Sequence, residues 1–323
     1  MSRSRTAWWL GVAVLAAGVG ACTAPVSPPS SVPDPNPDPD PEVQEEAWEP
    51  PAAPPEDLKA LADGNNAFAL DLHRKLADTE KGNLVVSPFS IRTALGMTYA
   101  GARGETATQM RKVLHLTLPD DRLHPAFGAT AHQLQGGKDK PFTLTVANAL
   151  WGQRGFPFRP EFLDLTKRNY GGGFRQLDFT GDPEGSRQTI NRWVEEKTQD
   201  KIKDLVKPND LGPDTQLVLT NAIYFKAAWA TPFLKRETKA TPFEVSPGET
   251  IPVAMMRTQE AHFRYLATDD GEWVDLPYEG RRVSLLLLLP PRGQVAAVEG
   301  RLTAAAGRGA AAKLAMRTGK VSL

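Results

Sequence analysis

The stretch from Leu217 to Trp229, which reads LVLTNAIYFKAAW, carries apolar side chains on both of its alternating registers. A strand with two apolar faces is typical of the middle of a sheet that is covered on both sides. Asn221 interrupts this pattern, because a buried side-chain amide without hydrogen-bond partners costs about 1–3 kcal/mol. Either Asn221 is a core residue satisfied by neighbouring backbone groups, or it is a polar clasp under a sheet that has to open. The strand alone leaves both interpretations open.

The same patterning predicts helices and strands over the rest of the chain. Phe68, Leu72 and Leu76 repeat at helical spacing, and Ser87-Pro88 is a typical helix start. Further helices are predicted over 105–114, 160–170, from Asp182 onward, and over 295–317 with an interruption near 307–309; strands are predicted over 83–86, 142–150, 273–278 and 283–289. Because helices come first and strands then mix with helices, we expect an α+β fold with mostly antiparallel sheets.

Residues 1–21 predict an export signal. Arg3 and Arg5 precede an apolar run that is too short to span a bilayer, and small residues lead directly to Cys22. Small residues before a cysteine resemble the lipobox of bacterial lipoproteins, which implies lipidation of Cys22. We therefore expect an exported protein that is lipid-anchored at the outer membrane or cell surface, with its domain in the periplasm or extracellular space. The alternative is an ordinary secretory signal with an incidental cysteine. Because Cys22 is the only cysteine, it forms no internal disulfide bond, and its single occurrence at this position favours lipidation.

Residues 22–57 predict an extended tether. From Thr23 to Asp57 there are twelve prolines, nine acidic residues and no lysine or arginine. Proline favours polyproline II and like charges repel each other, so this composition does not predict a packed core. A proline-rich ligand for a partner domain is the alternative interpretation. The predicted folded domain covers residues 58–323.

Composition and motifs exclude several classes of function. The 38 basic and 38 acidic side chains give a formal net charge of zero, which argues against charge-driven binding to nucleic acid or to an anionic membrane surface. The five histidines show no metal-ligand spacing, and the sequence has no nucleophile elbow or phosphate-binding loop. Arg103, Arg111, Lys112 and Arg122 are too dispersed for a heparin-type site. We predict no enzyme, no cofactor and no metal site, and an unrecognised hydrolase is a distant alternative.

Six stretches of the chain together resemble the serpin family of serine protease inhibitors. They occur in the family's order, with similar spacing, from about residue 62 to Leu323. The stretches are NLVVSPFSIRTALGMTYAGARGETATQM (83–110), FTLTVANALW (142–151), INRWVEEKTQDKI (190–202), LVLTNAIYFKAAWATPF (217–233), IPVAMM (251–256) and WVDLPYEGRRVSLLLLLP (273–290).

This resemblance implies N-terminal helices over three β-sheets, with a main sheet that opens to accept an inserted loop. In inhibitory members, a serine or cysteine protease cleaves an exposed reactive loop and is trapped as an acyl-enzyme when the loop inserts. Carried over by position, Ser87, Ser90 and Asn221 match the family's shutter, and Trp229 matches the breach where insertion begins. The resemblance therefore favours the clasp interpretation of Asn221, in a structural role.

The family's hinge, reactive loop and last core strands have no counterpart within these residues. The alanine runs at 304–306 and 310–312 lie too early and lack the preceding glutamates. We therefore expect that this chain is not inhibitory as it stands, and we favour a truncated gene, a frameshift or an incomplete sequence. The strand over 283–289 is then expected to lose neighbours and to expose an apolar edge. The alternative function is a membrane-anchored, non-inhibitory binding module on a serpin scaffold.

Overall fold

The structure is a computed structural model that describes residues 48–80, 82–135, 141–171, 174–246 and 248–323, together with the backbone of residues 12–16. Its first part is helical: α1 (Pro55–Ala77), α2 (Pro88–Gly101), α3 (Gly104–Val113), α4 (Asp120–Leu134), α5 (Pro160–Tyr170) and α6 (Pro183–Lys197). Four of these helices, α1, α2, α4 and α5, pack around one buried cluster that includes Leu61, Met97 and Phe127. Trp48, which lies before the boundary predicted at residue 58, already contacts this helical layer.

The main sheet is built from β1 (Val12–Ala16), β2 (Phe142–Gln153), β3 (Phe174–Leu177) and β4 (Leu217–Ala227), in the order β1-β4-β2-β3. β4 is antiparallel to both of its neighbours, and β2 is parallel to β3. Leu219 packs in the cluster that α2 shares, whereas Val218 and Ala222 pack in a second cluster with Ile190 and Trp193 of α6. The prediction that β4 lies inside a sheet covered on both sides is therefore confirmed.

After β4 the chain forms two further sheets, one of four strands and one of two. Their elements are β5 (Lys239–Ser246), β6 (Glu249–Met255), β7 (Ala261–Thr268), β8 (Gly271–Pro277), β9 (Ser284–Leu289), the helices α7 (Val295–Arg301) and α8 (Ala304–Lys313), and β10 (Ala315–Gly319). β5 pairs with β6, and the other four strands have the order β10-β7-β8-β9. Every pairing in these two sheets is antiparallel, so the predicted α+β class with mostly antiparallel sheets is confirmed.

Some local predictions are wrong. Residues 83–86 are extended but join no strand, because this short apolar run leads straight into α2. α8 continues through residues 307–309, and the break falls earlier, where the Thr303 side chain caps α8 by accepting a hydrogen bond from the Ala306 N–H. The leucine run of β9 is not buried on both faces, since Leu286 is 39% and Leu289 is 66% exposed. β9 is also the last strand of its sheet. The exposed apolar edge predicted for this strand is confirmed.

A buried cation fixes α2 on the helical layer. The Arg92 guanidinium donates hydrogen bonds to the backbone carbonyls of Leu61, Leu114 and His115, at 2.7–3.0 Å. Burial lowers the pKa of Arg92 to about 10, so the side chain stays protonated at neutral pH. Because the three carbonyls belong to α1 and to the end of α3, Arg92 sets the position of the α2 start, where Ser90 lies.

Candidate functional site

Two asparagines face each other at the centre of the main sheet. Asn221 on β4 is directly opposite Asn148 on β2, and both side chains are buried. The Asn221 Nδ2 amide donates a hydrogen bond to Asn148 Oδ1. The remaining oxygen, Asn221 Oδ1, has no hydrogen-bond partner among the described residues. The pair therefore links the two strands through their side chains and leaves one buried acceptor unsatisfied.

Asn148 is a site residue that the sequence analysis did not select. The signal was present, because Asn148 interrupts an alternation of Phe142, Leu144, Val146 and Leu150 in the same way that Asn221 interrupts its own strand. Only the strand register shows that the two interruptions meet. A one-residue shift of β2 against β4 would turn one amide toward the opposite face.

The N-terminus of α2 covers the face of the sheet that carries these amides. Phe89, between the two predicted shutter serines, packs in one cluster with Val146 and Ile223. These two residues lie opposite each other in the β2–β4 register, two positions from Asn148 and Asn221, and therefore on the same face. The structure thus brings the α2 N-terminus and Asn221 to one interface.

The two serines contribute differently to this interface. Ser87 is the N-cap residue of α2, is half-buried, and its side chain makes no capping hydrogen bond. Ser90 is 1% exposed, and its Oγ has no hydrogen-bond partner in the described part of the chain. A buried polar atom without a partner costs about 1–3 kcal/mol. Ser90 Oγ and Asn221 Oδ1 are therefore two uncompensated polar atoms in the contact between α2 and the main sheet.

One edge of β4 is only partly covered. β1 runs antiparallel to β4 and pairs with residues Val218 to Ala222. From Ile223 to Ala227 the described residues supply no strand on this edge. Backbone groups of a strand point alternately to its two sides, so part of this segment directs N–H and C=O groups away from β2. The edge thus accepts an antiparallel strand along one half and is open along the other.

Trp229 lies just beyond the carboxyl end of β4 and joins the main sheet to the sheet that contains β8. Its ring stacks on Tyr278 with centroids 4.5 Å apart and contacts Phe233 edge-on at 5.7 Å. The Ala230 N–H donates to the Pro277 carbonyl at 3.0 Å, and burial raises the pKa of Tyr278. A shallow cleft opens beside Trp229, lined in part by Phe233. Asn221 therefore lies on β4 and Trp229 just beyond the carboxyl end of this strand, with the open edge between them.

The described residues contain no group of three or more histidine, cysteine, aspartate or glutamate side chains that would hold a metal ion. The pKa of His124 falls to about 4 because this ring is buried, and its Nδ1 forms a 2.6 Å hydrogen bond with Tyr170 inside the helical layer. In the part of the chain that is described, no helix has both the length and the apolar character needed to cross a membrane. Cys22 lies outside the described residues.

A family model described as serpin (serine protease inhibitor) matches residues 63–323. The chain belongs to the serpin family. A serpin-like protein of Thermococcus kodakarensis is 43% identical over 246 residues, which cover 76% of this chain and 57% of that protein. The leukocyte elastase inhibitor of Bos taurus is 39% identical over 238 residues, which cover 72% of this chain and 62% of the inhibitor. This serpin thus spans about 57–62% of the length of these curated relatives.

Two solved structures share the fold of this serpin. Ovalbumin from the emu, Dromaius novaehollandiae, superimposes with a TM-score of 0.77 at 27% identity, covering 82% of this chain and 73% of ovalbumin. Human thyroxine binding globulin with a cleaved reactive loop gives a TM-score of 0.76 at 28% identity, covering 82% and 79% of the two chains. The serpin fold inferred from the sequence is therefore confirmed.

The asparagine pair is tested by replacing each residue with leucine, which has a similar volume. We expect Asn221→Leu and Asn148→Leu each to lower the free energy of unfolding by about 1–3 kcal/mol, because each leaves the remaining buried amide without its partner. The double variant should lose less than the sum of the two, since both polar groups are then gone. Urea unfolding measures all three values, with Asn66→Leu on the exposed surface of α1 as the control. Strictly additive losses would contradict the pairing.

Proposed function

We propose that this serpin provides the insertion sheet of an inhibitor of serine or cysteine proteases. The observation that carries the proposal is the edge of β4, which pairs with an antiparallel strand along Val218–Ala222 and has no described strand along Ile223–Ala227. In the proposed mechanism the cleaved reactive loop adds to this edge as a new strand, so backbone hydrogen bonds stabilise the inserted state. The bovine relative is a leukocyte elastase inhibitor, which supports a protease as the partner.

The polar residues beneath the sheet have a proposed role in controlling insertion. A strand that inserts beside β4 passes the interface where Ser90 Oγ and Asn221 Oδ1 have no partners. A hydrogen-bond donor that the new strand brings there would satisfy Asn221 Oδ1, and a donor or an acceptor would satisfy Ser90 Oγ, which favours the inserted state over the open one. Ser87 would position the start of α2, and Trp229 would hold the end of β4 where insertion begins. No residue in this mechanism performs catalysis, because the protease supplies the nucleophile.

Within residues 1–323 no stretch resembles a hinge, so we expect trapping only when a reactive loop is added. The test is a chimera in which residues 1–323 are followed by the part of the bovine leukocyte elastase inhibitor that carries its reactive loop. We expect the chimera to form a covalent, SDS-resistant complex with elastase, visible by gel electrophoresis as a band near the summed masses. The 323-residue chain alone should form no such band.

The complete bovine inhibitor is the positive control for this experiment. The proposal fails if the chimera unfolds cooperatively, and is therefore folded, but elastase cleaves it as an ordinary substrate without forming the complex. That outcome would favour the second candidate function, a non-inhibitory binding module on the serpin scaffold. One observation favours this candidate: a solved structure with the same fold is named a thyroxine binding globulin.

We also propose that the protein is exported and held at the bacterial cell envelope by lipid chains on Cys22. Removal of the leader before Cys22 would also remove β1, so in the lipidated form the β4 edge would be open along Val218–Ala222 as well. The sequence supports this through the charged and apolar leader, the small residues before Cys22, and the absence of any other cysteine. Each buried methylene of a lipid chain contributes about 0.8 kcal/mol, so two chains give stable anchoring. The acidic, proline-rich residues that follow would hold the serpin domain away from the membrane surface.

Lipidation is tested by expressing the chain in a bacterium that processes lipoproteins. We expect labelled palmitate to be incorporated and the protein to sediment with membranes. Cys22→Ser should abolish both, because it removes the acylated thiol. Thr23→Ala, at the next position, is the matched control and should keep the label. Membrane sedimentation of Cys22→Ser that equals the original chain would contradict the anchor.

A further inference from the structure

We propose that residues 48–54 form a strap that is part of the folded domain, and that Trp48 anchors this strap between α4 and α5. Composition alone assigns these residues to the tether, because four of the prolines of residues 22–57 lie at positions 50–55. The contacts of residues 48–54 instead indicate that these residues belong to the folded domain, so the tether ends before Trp48.

Trp48 makes a polar and an aromatic contact with the ends of two helices. Its indole Nε1–H donates a hydrogen bond to the backbone carbonyl of Arg168, in the last turn of α5, at 3.1 Å. Its ring meets His132, in the last turn of α4, edge-on with centroids 6.1 Å apart. The carbonyl of Arg168 is one that a helix end leaves without an intrahelical partner, so the indole acts as a cap. A tryptophan with its N–H paired and its ring packed is a typical anchor.

Two glycines make room for the strap. At Gly171, which ends α5 with a φ of 60°, an added Cβ would lie 2.6 Å from the Trp48 ring. At Gly128, within α4, an added Cβ would lie 2.9 Å from Pro50 Cβ and 2.3 Å from the Asn169 carbonyl oxygen. A side chain at Gly171 would occupy the space of the Trp48 ring, and one at Gly128 would clash first with the Asn169 carbonyl of α5 and then with Pro50 of the strap. The surface formed by α4 and α5 is thus shaped to receive residues 48–50.

The strap continues into α1 without a break in packing. Ala53 packs against the buried cluster of the helical layer, and Asp57 is 1% exposed in the first turn of α1. The Arg122 Nε group of α4 donates a hydrogen bond to Asp57 Oδ2 at 3.0 Å, and a second contact makes the pair bidentate. Because Trp48 of the strap and Asp57 of α1 both contact α4, residues 48–57 follow this helix as one unit.

The strap sets the length of the membrane tether, and this consequence rests on the proposed lipidation of Cys22. With Trp48 held on the domain, the predicted tether contains at most residues 23–47, which are 25 residues. An extended polyproline II chain of this length would reach about 80 Å. Release of the strap would lengthen the tether and would move its attachment away from the ends of α4 and α5.

The test uses chymotrypsin on the full chain, because Trp48 is the only aromatic residue between positions 23 and 57. Gly171→Asn should eject Trp48 while preserving the helix end, since asparagine tolerates a positive φ but its side chain enters the space of the indole. The matched control is Gly155→Asn, where φ is 79° and an added Cβ meets nothing within 4 Å. We expect cleavage after Trp48, followed by mass spectrometry, to be at least about tenfold faster in Gly171→Asn than in the original chain or the control.

A second variant guards against a folding defect in Gly171→Asn. Trp48→Phe keeps a chymotrypsin site but loses the hydrogen bond to Arg168, so it should also be cleaved faster with an unchanged thermal transition of the domain. The proposal is overturned if the bond after residue 48 is cleaved equally fast in all four proteins. Because this assay needs neither lipid nor protease trapping, its outcome is independent of the lipidation and chimera tests.

Discussion

The backbone of β4 is the element on which the rest of this structure depends. Both of its faces are covered, by α2 on one side and α6 on the other, so its polar groups are satisfied within the plane of the sheet. β2 satisfies one edge completely, whereas the opposite edge has no described strand along Ile223–Ala227. A strand with an incomplete edge favours the addition of another strand, because its backbone donors and acceptors on that edge have no partner strand. This is the physical basis of the inhibitory mechanism that we propose.

The polar atoms under β4 favour one register of the strands and also lower the stability of this part of the sheet. Asn148 and Asn221 bond only when β2 and β4 are correctly aligned, which disfavours slipped pairings. Ser90 Oγ and Asn221 Oδ1 stay unsatisfied in the contact with α2, so this part of the core is less stable than an apolar one would be. Trp229, just beyond the end of the same strand, stacks on Tyr278 and so packs the end of β4 against the sheet that contains β8.

The sequence predicts the strands that are apolar over long stretches but not how they are arranged. The two-faced pattern of Leu217–Trp229 identifies β4, and Asn221 is recognisable because a polar residue in such a strand needs a partner. Asn148 was missed because its partner lies 73 positions away and only the register brings them together. The sequence pattern predicts too much burial for the leucines of β9, because the pattern of side chains does not distinguish an edge strand from a central one. The sequence pattern does not predict α4, because Pro125 and a strongly charged start obscure its apolar face. It also does not predict that Trp48 packs on the domain, because the proline-rich residues around Trp48 suggest a tether.

The most direct test of the central claim is amide hydrogen exchange along β4 in the full chain, resolved to single residues by NMR or fragmentation mass spectrometry. The account predicts alternation from Ile223 to Ala227: amides that point toward β2 exchange slowly, and those that point to the open edge exchange much faster. Uniformly slow exchange along this segment would contradict the account, because it would mean that another strand already pairs with this edge of β4.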